Sequence, residues 1–309
     1  MRLRLLLLCG TLAAAPPPAA RPTQVRIPVW LDAASGDPPA QDFHATIDGS
    51  DARVIGVQCP DSDVIILLVL DISSGDLTVM DPAKATAEES IRKLPPNAYV
   101  GLLRAQDSLQ VLEDPIADRD AITHRIEEQT LTGRTGLLAT VESIGRIADA
   151  MLDKSTVRVA ILYVTDGDVR NYREDFTNPV INSSDSHDLS RRFPEALVQE
   201  KIAKLDAVLA AQQAPLFIVD LNPRTDRLNN AYHNGLKQLA ETTGGAAFFS
   251  RSTTEIPEAI RKSFETVQSH YSLTLALPER VPPRLLIRLT VPENHHLLSY
   301  RTRLALRRR

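Results

Sequence analysis

The chain of 309 residues is 43% hydrophobic and 24% charged, a composition typical of a globular protein with one sizeable α/β domain and smaller additions. Its formal net charge of -4 gives no support to nucleic-acid binding. The only basic cluster is the C-terminal Arg307-Arg308-Arg309, which we predict to be a solvated end rather than a nucleic-acid or membrane patch.

The N-terminus has the pattern of a secretory signal peptide. Met1-Arg2-Leu3-Arg4 supplies the charged start, and a short apolar segment with small residues follows it. We assign residues 1–22 to the signal peptide and a Pro/Ala-rich spacer, and expect an exported protein, periplasmic or secreted. No later run approaches the roughly 18 apolar residues that a membrane helix needs. Removal of the signal would leave Cys59 as the only cysteine, so no internal disulfide is expected.

A small β layer is predicted for residues 23–60, ahead of the main domain. Residues 25–31 alternate between apolar and polar types, as a half-buried strand does. Residues 43–47 and 52–57 are predicted to be two more strands on either side of the turn at Asp48-Gly49.

The strongest structural signal is the apolar run 64–70, which ends abruptly at Asp71, Ile72 and Ser73. An unbroken apolar run of this length predicts a parallel strand that is buried on both faces. The carboxyl ends of such strands open onto the crevice in which α/β proteins bind ligands. Asp71 and Ser73 are two residues apart, so their side chains are expected on the same side of the chain at that end.

Strands and amphipathic helices alternate along residues 61–270. The predicted strands are 99–104 and 109–112, joined as a hairpin, then 157–164 and 215–221; helical spacing is centred on 80–94, 122–126, 137–151, 197–209, 232–239 and 256–267. The first helix is predicted to begin at the N-cap Asp81 with Pro82 in its first position. This order predicts an α/β fold with a doubly wound, mostly parallel, Rossmann-like sheet.

The pattern changes to period two after residue 270. Residues 272–275, 285–291 and 297–304 are predicted to be strands. We expect residues 271–309 to pack with residues 23–60 as one small β subdomain formed by both ends of the chain.

Two later stretches add oxygen-bearing side chains to those at the end of the central strand. Thr135 opens a helical pattern, and Asp166 follows the strand predicted at 157–164. Together with Asp71 and Ser73 they form a set that contains no His or Cys. Hard oxygen ligands with positions left for water suit Mg²⁺ or Mn²⁺, and less often Ca²⁺.

This set resembles the metal site of von Willebrand factor type A domains, which uses Asp-x-Ser-x-Ser, a distant Thr and a distant Asp. The flanking strands resemble those of a bacterial exported family related to these domains. The resemblance implies that Ser73 and Thr135 contact a divalent ion directly, while Asp71 and Asp166 orient waters. It also implies a non-enzymatic protein-binding module in which an acidic side chain of a partner completes the metal site. The chain departs from the pattern at Gly75, where the family has its second Ser.

Each candidate residue also has a structural interpretation. Thr135 would serve as an ordinary helix cap, and Asp166-Gly167 as a plain turn. The polar segment 169–192 leaves from the proposed metal edge, and it is either a partner surface or a mobile insertion. Under this alternative the protein is a metal-free structural or interaction domain with a vestigial site, which binds through residues 169–192 or through the β subdomain.

Enzymatic interpretations receive less support from the sequence. It contains no Gly-rich phosphate loop, no Gly-x-Ser-x-Gly elbow and no second acid at the position of Ser73. The adjacent His295 and His296 would point to opposite faces of a strand, so one metal ion cannot easily use both. A Mg²⁺-dependent hydrolase on this fold is therefore only a third hypothesis.

Overall fold

The computed structural model describes residues 24–32, 36–72, 77–129, 133–167, 194–278, 280–291 and 296–306. The predicted signal peptide, Ser73, Gly75, the segment 169–192 and the arginine tail lie outside these described residues. The strands are β1 (Gln24–Asp32), β2 (His44–Ile47), β3 (Ser50–Ala52), β4 (Val54–Gln58), β5 (Val64–Asp71), β6 (Ala98–Arg104), β7 (Gln110–Ile116), β8 (Arg158–Thr165), β9 (Leu216–Asp220), β10 (Ala247–Phe249), β11 (Tyr271–Ala276), β12 (Arg284–Thr290), β13 (His296–Tyr300) and β14 (Arg303–Ala305). The α-helices are α1 (Leu77–Arg92), α2 (Arg119–Glu128), α3 (Leu137–Lys154), α4 (Pro194–Leu209), α5 (Arg227–Thr243) and α6 (Ile256–Gln268).

A six-stranded sheet in the order β10-β9-β8-β5-β6-β7 forms the centre of the α/β domain. All neighbouring strands in it are parallel except β6 and β7, which form the predicted antiparallel hairpin. The central strand β5 is buried along almost its whole length, as its apolar run requires. The predicted mostly parallel sheet is therefore confirmed.

Helices cover both faces of this sheet. The buried side chains of α3, α4 and α5 form one apolar core with one face of the strands. Those of α1, α2 and α6 form a second core with the opposite face. Two helical layers around one parallel sheet make the domain doubly wound, which confirms the predicted fold class.

The prediction for the start of α1 is wrong. Helix α1 contains Leu77 at its beginning and continues through Pro82, which was expected to be its first residue. The buried side chain of Val79 packs in the core between α1 and the sheet, so its burial favours a helix that begins before Pro82. Pro82 is the sixth residue of α1 and lacks an N–H, so it cannot donate to the carbonyl oxygen of Thr78.

Two four-stranded antiparallel sheets form a β module from both ends of the chain. One has the order β13-β1-β11-β4, and the other has the order β14-β12-β2-β3. Their facing sides enclose a separate apolar core, which includes Ile27, Ile47, Leu273 and Ile287. The expected packing of N-terminal and C-terminal strands as one unit is confirmed by the pairing of β1 with β11 and of β2 with β12.

Two predicted strands are each divided in the structure. The strand predicted at 52–57 is interrupted at Arg53, which separates β3 from β4. The strand predicted at 297–304 is interrupted at Arg301 and Thr302, which separate β13 from β14. Arg301 is buried and donates to the carbonyl oxygens of Leu209, Ala210 and Gln212 at the end of α4, so this residue leaves the strand pattern to bind a helix terminus.

Arginine side chains attach the β module to the amino ends of the central strands. Arg26 on β1 donates to the carbonyl oxygens of Ser155 and Val157, just before β8. Arg158, the first residue of β8, donates to carbonyl oxygens in two segments of chain on the side of the β module, 60–62 and 268–270. The β module therefore lies at the edge of the central sheet opposite the carboxyl ends of its parallel strands. Among the described residues, no helix combines the length and apolar character needed to cross a bilayer.

Candidate metal centre

The carboxyl ends of three neighbouring parallel strands carry polar residues at the same level. Asp71 of β5 is in register with Thr165 of β8, and Thr165 is in register with Asp220 of β9. All three side chains are fully buried. Parallel strands end at a common edge, so their loops converge here, as the sequence predicted for Asp71 and Asp166.

Asp71 is held by three donors, two at the start of α3 and one at the end of β8. Its Oδ1 accepts from the backbone N–H of Gly136 at 2.6 Å, and its Oδ2 accepts from the N–H of Leu137 at 3.1 Å and from the hydroxyl of Thr165 at 2.9 Å. The carboxylate therefore caps the start of α3 and ties β5 to the loop before that helix. Burial raises the pKa of Asp71 to about 7, the nearby Asp166 adds to this, and the three hydrogen bonds oppose it.

Glycine is required at position 136 by close packing. A Cβ atom at this position would lie 2.0 Å from the carbonyl oxygen of Ala105, which belongs to the backbone and cannot simply rotate away. The absence of a side chain lets the loop 133–136 approach the end of β6 and present its N–H groups to Asp71. The sequence indicates Thr135 as a candidate but carries no signal for the role of the glycine beside it.

Thr135 is the candidate residue with the clearest unused polar atom. Its side chain is buried, with 5% of its surface exposed. Its hydroxyl oxygen has no hydrogen-bond partner among the described residues. The predicted helix-capping role of this hydroxyl is therefore wrong: Gly136 stands at the N-cap of α3, and Asp71 binds the first N–H groups of that helix.

Asp166 and Ser73 complete the predicted set. Asp166 directly follows β8, is partly buried, and lies close enough to Asp71 to influence its pKa. Its backbone N–H donates to the carbonyl oxygen of Asp71 at 3.3 Å. The structure thus brings Asp71, Thr135 and Asp166 to one edge, whereas Ser73 lies outside the described residues.

The loop after β6 contacts the two segments that carry Asp71 and Thr135. Gln106, buried after β6, donates from Nε2 to the carbonyl oxygen of Ile72, immediately before Ser73. Asp107 accepts from the N–H of Arg134 at 3.1 Å and has a φ of 56°, in the left-handed region. These contacts fix the positions of Ile72 and Arg134, next to the candidate residues. The only indication of this role in the sequence is that residues 106–108 lie between two predicted strands.

A second polar cluster lies beside Asp166. Asp220 is fully buried, and its Oδ2 lies 3.0 Å from Nε2 of His233 on α5. The distance suits an ion pair, but the two atoms are not aligned for a hydrogen bond. Asn222 donates to the carbonyl oxygen of Gly167 at 3.2 Å and so joins this cluster to the loop of Asp166.

The described residues fit a small divalent cation. No group of three or more His, Cys, Asp or Glu side chains suited to a metal occurs within the described part of the chain. The buried hydroxyl of Thr135, which lacks a partner there, is an oxygen that such a cation would bind. Two carboxylates stand nearby, and the desolvation of Asp71 is a cost that a bound cation would offset.

No protein-family model and no curated protein matches this chain. Similar solved structures include the von Willebrand factor type A protein from Catenulispora acidiphila, with 12% identity and a TM-score of 0.46 over 92% of this chain and 74% of that chain. An aerotolerance-related membrane protein from Bacteroides fragilis has 15% identity and a TM-score of 0.41, over 65% of this chain and 98% of that chain. The vWF domain of the type V pili tip protein Mfa5 from Porphyromonas gingivalis has 15% identity and a TM-score of 0.46, over 67% of this chain and 95% of that chain.

At these identities and TM-scores the similarities concern the shape of the chain and carry nothing about its ligands or partners. The mostly parallel six-stranded sheet flanked by helices agrees with the von Willebrand A resemblance at the level of the fold.

Proposed function

We propose that the protein is an exported, non-enzymatic protein-binding module of the adhesion or scaffold type that recognises an acidic partner group through a divalent cation. The observation that carries this proposal is the buried hydroxyl of Thr135, which has no partner among the described residues and stands at the same edge as Asp71 and Asp166. A buried hydroxyl without a partner is unfavourable, and a cation at this edge would satisfy it.

The roles of the side chains follow from their contacts. Thr135, together with Ser73, would bind Mg²⁺ or Mn²⁺ directly through neutral oxygens. The carboxylate of Asp71 already accepts from three donors, which favours an indirect role through water, and Asp166 would act in the same way. A cation held mainly by neutral oxygens keeps net positive charge, so an acidic side chain of a partner protein is the group that it would accept.

Replacing Thr135 with valine is the cleanest test of the metal site. Valine has nearly the same shape and removes only a buried hydroxyl that bonds to no described residue, so the melting temperature in EDTA is expected to stay the same or to rise by up to about 4 °C. Saturating Mn²⁺ is expected to raise the melting temperature of the unmodified protein by about 3 °C. The Thr135→Val variant is expected to lose this rise.

The control for this test is Thr266→Val. The Thr266 hydroxyl bonds to the carbonyl oxygen of Lys262 at 2.7 Å on α6, away from the candidate centre, so its variant should keep the response to Mn²⁺. Asp71→Ala is less informative, because it also removes the acceptor of three buried donors. Equal responses of the unmodified protein and Thr135→Val to Mn²⁺ would reject the role proposed for Thr135.

Gly75→Ser is expected to strengthen the site. Position 75 corresponds to the second Ser of the von Willebrand A motif, so the substitution would replace a water ligand with a hydroxyl. We expect Mn²⁺ to bind about tenfold more tightly, as measured by calorimetric titration in parallel with the unmodified protein. An unchanged affinity would mean that the turn does not direct residue 75 towards the ion.

A metal-free interaction domain is the second candidate function. It is favoured by the same hydrogen bonds of Asp71, because the carboxylate already joins β5, β8 and α3 without any cation. Under this alternative the acidic edge is structural, and partner binding takes place on other surfaces, through residues 169–192 or the β module. The absence of any response to Mn²⁺ or Mg²⁺ in the unmodified protein would favour it.

A further inference from the structure

The outer face of β12 and β14 carries a group of exposed arginines. Burial alternates strictly along β12, so that Leu285, Ile287 and Leu289 point into the β module and the residues between them point to solvent. Arg284 and Arg288 are therefore on the outer face, and Arg303 of β14 is exposed beside them. We call Arg284, Arg288 and Arg303 the arginine face.

An exposed leucine lies in the middle of the arginine face. Leu286 stands between Arg284 and Arg288 on β12, and Arg303 is its direct partner on β14. Its side chain is 41% exposed, one of the few large apolar side chains among the described residues to be so exposed. The two arginines of β12 are about 14 Å apart along the strand, which leaves room for contacts with an apolar group between them.

The positive charge of this face is not neutralised within the described part of the protein. None of the three arginines forms an ion pair there, whereas Arg125, Arg146 and Arg261 on the helices each pair with a nearby glutamate. Among the described residues, the acidic side chains on the neighbouring β2–β3 hairpin are those of Asp48 and Asp51. The Oδ1 of Asp48 is occupied by the backbone N–H of Leu286 at 3.2 Å.

A polar groove continues the arginine face across β2 and β3. It has a volume of about 540 Å³, and Arg288 lines it together with Arg53, His44 and Asp51. Arg288 pairs in register with Thr46 of β2, and Thr46 pairs with Asp51 of β3, so the groove crosses the strands from the arginine face. The guanidinium groups of Arg288 on β12 and of Arg53, between β3 and β4, therefore belong to one concave surface.

We propose that the arginine face and this groove form a second binding surface, which takes an extended acidic polypeptide segment of a partner protein. Guanidinium groups match carboxylates in geometry as well as charge, since each can donate two parallel hydrogen bonds. An extended chain has the same rise per residue as β12. A segment with acidic residues four apart and an apolar residue midway would therefore place its side chains opposite Arg284, Leu286 and Arg288.

This surface goes beyond the proposed metal-dependent function. It belongs to the β module, which packs against the amino ends of the central strands, while Asp71, Thr135 and Asp166 lie at their carboxyl ends. No metal is needed for guanidinium–carboxylate recognition. Binding at the arginine face should therefore persist in EDTA and weaken as salt screens the charges.

The experiment measures binding of a fluorescein-labelled peptide with repeating Glu-Ser-Leu-Ser units to the full chain by fluorescence anisotropy in EDTA. The triple variant Arg284→Gln, Arg288→Gln and Arg303→Gln is expected to bind about tenfold more weakly. A matched triple variant, Arg125→Gln, Arg146→Gln and Arg261→Gln, makes the same change in net charge on exposed helical positions and is expected to bind within about twofold of the unmodified protein. A peptide with Gln in place of Glu should bind weakly to all three proteins.

Several results would overturn the proposal. One is an equal loss in the two triple variants, which would indicate a general charge effect. Another is tight binding to vesicles containing phosphatidylserine without binding to the acidic peptide, which would assign the face to a lipid surface. A third is peptide binding that requires Mn²⁺ and disappears in Thr135→Val. That result would place the acidic group at the metal centre and leave the proposed function intact.

Discussion

Arg158→Met is expected to destabilise the protein by about 4 kcal/mol. The guanidinium group is fully buried and donates to four carbonyl oxygens, those of Pro60, Ser62, Gln268 and His270. Burial lowers the pKa of Arg158 to about 10, so the group stays charged at neutral pH. Methionine keeps much of the apolar stem but leaves those carbonyl groups without their donor, and buried acceptors without a donor are costly.

Urea unfolding at pH 7 measures this effect, with the midpoint expected to fall and the slope to stay unchanged. Arg146→Met is the matched control, because Arg146 is exposed and its ion-pair partner is Glu142, one helical turn away; the expected loss is below about 0.5 kcal/mol. Similar losses in the two variants would contradict the role assigned to Arg158.

The fluorescence of Trp30 reports locally on the contact between the β module and the α/β domain, which Arg158 stabilises. Trp30 is the only tryptophan in the chain. Its indole N–H donates to the carbonyl oxygen of Thr266 at 3.0 Å, and its ring packs edge-on against Phe217 at 6.0 Å between centroids. Trp30 therefore reports the contact between β1 and the α/β domain. In Arg158→Met its emission is expected to shift to the red in the folded protein, because the segment 268–270 loses its anchor.

Much of the fold could be predicted because its elements carry local signals. The apolar run of β5, the hairpin of β6 and β7, and the helix stop at Gly244, which has a φ of 84°, all followed from adjacent residues. The location of the candidate centre followed from the ends of parallel strands, since Asp71 ends β5 and Asp166 directly follows the neighbouring strand β8. In each case a short stretch of sequence was enough.

The remaining features depend on contacts between distant parts of the chain. Arg158 lies in a strand that was predicted from its apolar residues, and nothing beside it in sequence indicates that its acceptors are residues 60–62 and 268–270. Arg301 interrupts a predicted strand because the end of α4 lies within its reach. The capping of α3 by Asp71 joins residues that are 65 positions apart. Such contacts determine where helices and strands end and what polar groups bind. They cannot be predicted from the local hydrophobic periodicity of the sequence.

His270 gives the second large expected effect, on the pH dependence of stability. Its side chain is buried next to Arg158, and burial together with this positive charge lowers the pKa of His270 from 6.5 to about 3. Between these two values the unfolded chain binds a proton that the folded protein does not bind. Stability contributed by the neutral imidazole is therefore fully present above pH 6.5 and is lost as the pH falls, by about 1.4 kcal/mol per pH unit.

His270→Asn is the variant that isolates this contribution. The amide can replace the bond from Nδ1 to the carbonyl oxygen of Val267, which is 2.5 Å long, but it does not titrate. In EDTA, unfolding free energies at pH 6.5 and pH 4.5 are expected to give a drop about 2.3 kcal/mol larger for the unmodified protein than for the variant, because the unfolded histidine is already half protonated at pH 6.5. Asp71, whose pKa is raised to about 7, contributes in the opposite direction between pH 4 and 7, and its contribution cancels in this difference.

His124→Asn controls for a general effect of removing a histidine. His124 is exposed on α2 beside Glu127 and Glu128, so its removal leaves the contacts of His270 and Arg158 in place. Equal pH dependence in the unmodified protein and His270→Asn would show that the folded protein binds the proton at His270 after all. Protonation would then require water to enter the contact between the β module and the α/β domain, or Arg158 to move. A change in Trp30 fluorescence between pH 6.5 and 4.5 would detect that rearrangement, because the Trp30 and His270 ring centroids are only 5.9 Å apart.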